Sequence, residues 1–352
     1  MRSVRMLGLI VAMGLALVVS PLSSAGPATA DGVNGRIAFM RLDEHDTWQV
    51  WTANPDLTAQ HQITAFDPPV ADNGWPSWSP SGDRIAFDST SVDPQDPGRH
   101  VTEVFTMAAD GSDRQQVTHI GSTSGAPSWS SSGEWIAFTS DGGAYPEAQG
   151  IYVVRPDGTD LHRVVALPGG PKAVWLDAPR FSPDGTMLAY TFFQGGKQTP
   201  APWSWRGETS SLWVVSLDGS DPHQIVGPGH AVGDAAWSPD SRDLIFEQMG
   251  NHPGKLSNVV SVPSDGGGLV NLTDDAGYRG GRSQQSWVIQ ASFDPVYSPD
   301  GTRILFSHDD YSPTVAGCTG LQVMNADGTD RDWVDSACGV EHQVDWGTAP
   351  LE

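Results

Sequence analysis

One short unit recurs five times along this chain, and no other feature limits its fold so tightly. An aromatic residue and a serine lead into a turn at Trp78-Ser79-Pro80-Ser81-Gly82, Trp129-Ser130-Ser131-Ser132-Gly133, Phe181-Ser182-Pro183-Asp184-Gly185, Trp237-Ser238-Pro239-Asp240-Ser241 and Tyr297-Ser298-Pro299-Asp300-Gly301. Proline presets φ at the second turn position, Asp or Ser suits the third, and Gly takes the left-handed conformation that closes a tight hairpin. A short apolar strand follows each turn: Ile85-Ala86-Phe87, Ile136-Ala137-Phe138, Leu188-Ala189-Tyr190, Leu244-Ile245-Phe246 and Ile304-Leu305-Phe306. The spacing from anchor aromatic to strand aromatic is nine residues every time.

A second hairpin follows in each unit. Strands such as Val104–Met107, Ile151–Val154 and Leu212–Val215 run toward Asp-Gly turns, which occur at Asp110-Gly111, Asp157-Gly158, Asp218-Gly219, Asp265-Gly266 and Asp327-Gly328. Asp-Gly between apolar runs is a strong hairpin signal. Return strands are marked by Val117, Val164, Ile225, Leu272 and Val334, thirteen residues after their partners begin. Each repeat therefore holds four strands, and units of this size that cannot bury both faces alone are the blades of a propeller. The count closes at six, because Gly35–Phe39 matches a second strand and its missing first strand reappears as Val344–Gly347. The expected fold is all-β: a six-bladed β-propeller over 31–352 in which the C-terminal strand completes the N-terminal blade and hides two sheet edges. The blades are expected at 33–64 plus 341–347, 75–118, 126–165, 178–226, 234–273 and 293–334.

At these anchors the chain resembles the WD40-like propeller repeats of the TolB type, whose hallmark is aromatic-Ser-Pro-Asp-Gly followed by Ile-Ala-Phe. The resemblance spans nearly all of the chain after its first thirty residues and implies fold far more than function, since one fold hosts many activities. TolB carries an α/β domain ahead of its propeller. Here the first blade starts about five residues after the expected cleavage site, so the sequence predicts a propeller lacking that domain. Related propellers also precede serine peptidase domains, and none is expected in a chain that stops at Glu352.

Residues 1–30 read as a Sec-type signal peptide: Arg2 and Arg5, an apolar run from Met6 to Val19, and a small-x-small site at Ala28-Thr29-Ala30. The run is too short to span a bilayer. A secreted or periplasmic protein, monomeric and without a membrane span after cleavage, is therefore expected. Acidic residues outnumber basic ones 42 to 19, a formal charge of −23 that cleavage makes more negative by two. Such a charge argues against nucleic acid as a partner, because phosphate-backbone binding needs a basic surface.

Cys318 and Cys338 lie symmetrically about Gly328 in the last Asp-Gly turn. Antiparallel pairing would bring them opposite each other, and export favours a structural disulfide.

Spacing also indicates a functional face. The two hairpin turns of each blade are constant, whereas the connections from second to third strand and from blade to blade vary in length and emerge together on the opposite face. Binding residues concentrate on such scaffold-borne loops. The two longest insertions hold Lys197, Trp203, Trp205 and Arg206, and Tyr278, Arg279, Arg282 and Trp287; Lys255 and Lys172 fall on the same face. In so acidic a protein this basic and aromatic sector suggests an anionic ligand: a protein, a peptide or an acidic glycan. The opposite sector gathers Asp43, Glu44, Asp46, Asp67, Asp72, Asp93, Asp96, Asp309, Asp310 and Glu341, read as a solvated acidic rim.

Catalytic signatures are sparse: the chain has no Gly-x-Ser-x-Gly elbow, no phosphate loop and no His-Glu-x-x-His motif. Some propellers of the resembled family are polysaccharide lyases holding a divalent metal with histidines over the channel. His119, His230, His308 and His342, with Gln343 adjoining, are the residues that could do so here, and imidazole suits such a metal. The sequence favours a secreted binding propeller without chemistry or cofactor. A metal-dependent lyase or another hydrolase of the propeller family is the alternative.

Overall fold

The computed structural model describes residues 32–65, 72–93, 96–142, 148–167, 174–195, 197–198, 205–206, 209–249, 257–274, 290–310, 318–334 and 341–352. They form six four-stranded antiparallel sheets and one two-stranded ribbon. The chain opens with β1 (Ile37–Leu42), β2 (Trp48–Ala53) and β3 (His61–Gln62). The second blade is β4 (Asn73–Trp78), β5 (Arg84–Asp93), β6 (Asp96–Ala108) and β7 (Gln115–Gln116), and the third is β8 (Ser124–Trp129), β9 (Ile136–Ser140), β10 (Gly150–Val154) and β11 (His162–Ala166). The fourth contains β12 (Val174–Phe181) and β13 (Met187–Gln194), then the ribbon β14 (Lys197–Gln198) and β15 (Trp205–Arg206), then β16 (Thr209–Ser216) and β17 (His223–Val226). The fifth is β18 (Val232–Trp237), β19 (Asp243–Gln248), β20 (Asn258–Pro263) and β21 (Val270–Asn271); the sixth is β22 (Gln290–Tyr297), β23 (Arg303–Asp310), β24 (Cys318–Asn325) and β25 (Asp332–Trp333). Last in sequence, β26 (His342–Trp346) pairs with β1 as the innermost strand of the first blade, as the repeat arithmetic predicts.

The innermost strands β26, β4, β8, β12, β18 and β22 contact one another in cyclic order, which makes the six sheets a closed propeller. The core lies between blades rather than within them. Each of six buried clusters joins two neighbours: Ala38 and Val50 meet Ile85 and Phe87, while Leu212 and Val214 meet Leu244 and Phe246. The repeated second strand is covered on both sides, so Ile85, Ala86 and Phe87 are all fully buried. A blade alone would leave one of these faces in water, at roughly 25 cal/mol per Å² of apolar surface. This is why blades fold only as a ring.

The turn chemistry is as the sequence implies. The anchor serine accepts the N–H five residues on, with Ser79 Oγ to Arg84, Ser182 Oγ to Met187 and Ser298 Oγ to Arg303 each at 3.0 Å. It also donates to the turn aspartate, as Ser182 does to Asp184 and Ser298 to Asp300 at 2.6 Å. The closing residue is left-handed throughout, with φ from 61° at Ser241 to 73° at Gly185. The return strands are shorter than their markers suggested. β7, β21 and β25 hold two residues each, and the markers Val117, Leu272 and Val334 follow them, each bonded singly across the ladder.

Ring closure uses more than β26. Glu352 pairs with Arg36 at 2.6 Å and His61 at 2.7 Å, Asn34 donates to Asp300 at 2.8 Å, and buried Glu341 pairs with Arg41.

Candidate functional site

All six innermost strands carry a register shift just before the anchor aromatic. In five of them the residue three before the anchor has a left-handed backbone: Trp75, Ala126, Ala178, Asp294 and Gln343, with φ from 46° to 53°. Asp234 holds the same place in the fifth blade. Such bulges re-aim side chains, and Trp75, Asp234, Asp294 and Gln343 line a channel cavity of about 300 Å³. The cavity opens on the face of the constant turns, where Pro80, Pro183, Pro239 and Pro299 form its collar.

The channel is strongly polar on one side. Gln343 Nε2 donates to Asp294 Oδ1 at 2.9 Å and Asp234 Oδ2 at 3.1 Å, while Gln343 N–H donates to Asp294 Oδ2 at 3.0 Å. Burial together with the Asp294 charge pushes Asp234 well above the usual carboxylate range. Burial opposes ionisation of Asp294 too, but hydrogen bonds from His342, Asp234 and Gln343 overcome it and hold this carboxyl below its ordinary value. The two thus behave as an acid beside a carboxylate. Burial also raises Asp345 and Asp177, and pushes Asp88 up to about 7 with help from the Asp177 and Asp72 charges. Glu247 is pushed up to about 8 by burial and by the charges of Asp294 and Asp309.

At the variable end, the ribbon pairs Lys197 with Arg206 and Gln198 with Trp205 as cross-strand partners. The two expected cationic residues of this insertion thus occupy one rung of the backbone ladder. Trp203, Lys172, Lys255, Tyr278, Arg279, Arg282 and Trp287 lie outside the described residues, as do the signal segment 1–30 and Cys338. The expected disulfide therefore also lies outside them.

The four candidate histidines occupy different settings. His119 and His230 are exposed, His230 beside the Gln248 amide at 3.1 Å. His308 is buried, within 3.0 Å of Ser292 Oγ and 2.9 Å of the Arg331 guanidinium. His342 is half-buried, stacked on Phe293 and edge-on to Trp48, with Nδ1 3.8 Å from Asp294. Of these, only His342 joins the channel network with Gln343. Among the described residues no group of three or more His, Cys, Asp or Glu is arranged to hold a metal ion. Several members of the acidic rim are engaged internally: Asp72 accepts Trp48 N–H at 2.9 Å and Asp309 accepts the Thr319 hydroxyl at 2.6 Å.

Sequence reasoning missed the bulge ring and also a recurring threonine. Thr64 and Thr118 each accept the third-strand N–H, of Val50 at 2.8 Å and Val104 at 2.9 Å, and each donates to the residue before it, Gln49 or Glu103. Thr273 repeats this with Val259 and Asn258 at 3.1 Å. The signal was legible as Gln-Ile-Thr, Gln-Val-Thr and Asn-Leu-Thr at the end of three repeats.

No protein-family model matches the chain. A TolB homolog of Chlorobium luteolum is 37% identical over 118 residues, 33% of this chain and 22% of that protein. Dipeptidyl-peptidase 5 of Porphyromonas endodontalis is 30% identical over 115 residues, 33% of this chain and 15% of that protein. The chain spans between 15% and 29% of the length of the curated relatives it matches. The crystal structure of TolB from Acinetobacter baumannii superposes with a TM-score of 0.62 at 18% identity, covering 89% of this chain and 66% of that one. Together with the six cyclically packed blades, these likenesses make the chain, in fold, a TolB-like six-bladed β-propeller.

Proposed function

We propose that this chain is a secreted, non-catalytic binding propeller that offers its variable-loop face to a protein, peptide or glycan bearing anionic groups. The observation that carries this reading is the cross-strand pairing of Lys197 with Arg206 in a chain of formal charge −23. Two cationic residues on one backbone rung of so acidic a chain mark this ribbon as the place an anionic group would be drawn to. Trp205 in the same ribbon, and Tyr278, Arg279, Arg282, Trp287, Trp203 and Lys255 in neighbouring connections, are the proposed companions. The expected Cys318–Cys338 disulfide fits an exported protein. No helix among the described residues is long and apolar enough to cross a membrane.

The test is capture of the purified protein on immobilised poly-L-glutamate and polygalacturonate, at low and physiological salt. Capture by the wild type that is lost on the double change Lys197→Glu and Arg206→Glu, with an unchanged melt, supports the reading. Absence of capture, or equal capture by the variant, overturns it.

A further inference from the structure

The channel cavity holds charge of both signs, and the two signs do not meet. Asp234, Asp294 and Gln343 come from the innermost strands of three consecutive blades, the fifth, sixth and first, each at a bulge. One amide holds the two carboxyls together, since Gln343 Nε2 donates to Asp294 Oδ1 at 2.9 Å and to Asp234 Oδ2 at 3.1 Å. The same bulge position carries Ala126 in the third blade and Ala178 in the fourth, so that side of the ring adds no charge at this level.

Arg180 lines the same cavity from the fourth blade. It stands directly before the anchor Phe181, whereas Asp234 and Asp294 stand three before Trp237 and Tyr297, which puts the cation nearer the proline collar. Half-buried, its guanidinium donates among the described residues only to the carbonyl of its own neighbour Pro179, at 3.1 Å. Burial raises Asp177, Asp234 and Asp345, and the Arg180 charge acts against that rise in all three. The cation is thus felt by these carboxyls but forms an ion pair with none of them. A charge drawn partly out of water without a partner is costly, and a guanidinium presents a rigid fork of donors that fits a carboxylate.

From this separation we infer that the channel binds one free amino acid, with its ammonium at Asp234 and Asp294 and its carboxylate on the Arg180 guanidinium. An ammonium has three donors and no acceptor, which suits two carboxyls held side by side by one amide. A carboxylate takes two parallel N–H bonds from a guanidinium, among the strongest hydrogen bonds a protein offers. Ligands of a single sign fit less well: an anion would meet Asp294 and Asp345, and the second ammonium of a diamine would meet Arg180. At about 300 Å³ the cavity stands at the small end of ligand pockets, so a free amino acid matches it better than an extended peptide. The site opens on the constant-turn face and uses none of the residues proposed for the anionic ligand.

The experiment is calorimetric titration and saturation-transfer NMR of the purified protein with glycine, alanine, leucine, lysine and γ-aminobutyrate, and with alaninamide, N-acetylalanine and putrescine for comparison. Saturable binding of at least one amino acid is expected, tighter than that of any comparison compound. Arg180→Gln should weaken amino-acid binding about tenfold or more, as loss of a bidentate charged contact does. It should not weaken alaninamide, which has no carboxylate. Asp294→Asn should weaken the amino acid and alaninamide by a similar factor. Arg180→Gln should keep the melt near that of the wild type, because the side chain bonds only its neighbour's carbonyl, so the inference stays testable even where Asp294→Asn loosens the channel. No saturable binding of any amino acid, equal or tighter binding of a comparison compound, or unchanged binding in Arg180→Gln overturns the inference.

Discussion

Trp78 N–H donates to Asp345 Oδ2 at 2.6 Å, joining the first strand of the second blade to the last strand of the chain. The same relation recurs around the ring with other side chains: Trp129 N–H donates to Ser77 Oγ at 3.2 Å and Phe181 N–H to Ser128 Oγ at 3.4 Å. The residue before one anchor thus receives the anchor N–H of the next blade. Asp345→Ala should cost about 1–3 kcal/mol in urea unfolding, because it leaves a half-buried N–H without its partner. Asp345→Asn keeps an acceptor and should stay near wild type. Equal stability of the alanine variant and the wild type would refute the latch.

The C-terminal tail should be worth more than its length suggests. Residues 348–352 supply the Ala349 carbonyl that accepts Arg36 N–H at 2.9 Å, and the Glu352 carboxylate that meets Arg36 and His61. Removing them should lower the melting temperature, and removing 341–352, which also takes β26 and the Glu341 partner of Arg41, should lower it further. Calorimetry of the two truncations checks the order; an unchanged melt for the longer deletion would disprove strand closure.

Asp88 should make the protein less stable as pH rises. Its folded pKa of about 7 exceeds the ordinary value of 3.8, so between these limits the folded state holds a proton that the unfolded state releases. Stability from this group is complete at the acid end and declines from about pH 4 to pH 7. Asp88→Asn keeps an oxygen for Ala126 N–H, which now bonds Asp88 at 3.0 Å, and should be more stable than wild type at about pH 8 but not at about pH 4. Unfolding of both proteins at those two pH values decides it, and identical pH dependence would exclude the assignment.

Thr118→Val should destabilise by about 1–3 kcal/mol despite being nearly isosteric. It strips the acceptor from the Val104 N–H and the donor from Glu103, both buried. Thr186→Val, in an exposed turn where Asp184 accepts its hydroxyl and N–H, should cost much less. Comparing the two midpoints in urea tests whether burial sets the difference.

Thiol titration of the unreduced, denatured protein should find no free thiol, as a Cys318–Cys338 bridge requires. Two titratable thiols would exclude it.

The blade count, the strand order, the turn types and the C-terminal closure were all legible in the sequence, because turn chemistry is local. Ser182, Pro183, Asp184 and Gly185 each meet a requirement set within a few residues, and five copies of that requirement reveal the period. The charged ribbon could be suspected from composition, but its Lys197–Arg206 register came from the backbone ladder. The channel was different. Trp75, Ala126, Ala178, Asp234, Asp294 and Gln343 share no single residue type, so no pattern marks them; a bulge recurs three residues before each anchor, and ring closure brings Trp75, Asp234, Asp294 and Gln343 of this set to one channel. The raised pKa of Asp88 belongs to no single repeat: it arises where the second and third blades press together at Ala126 N–H, and only the closed tertiary structure decides what faces what there.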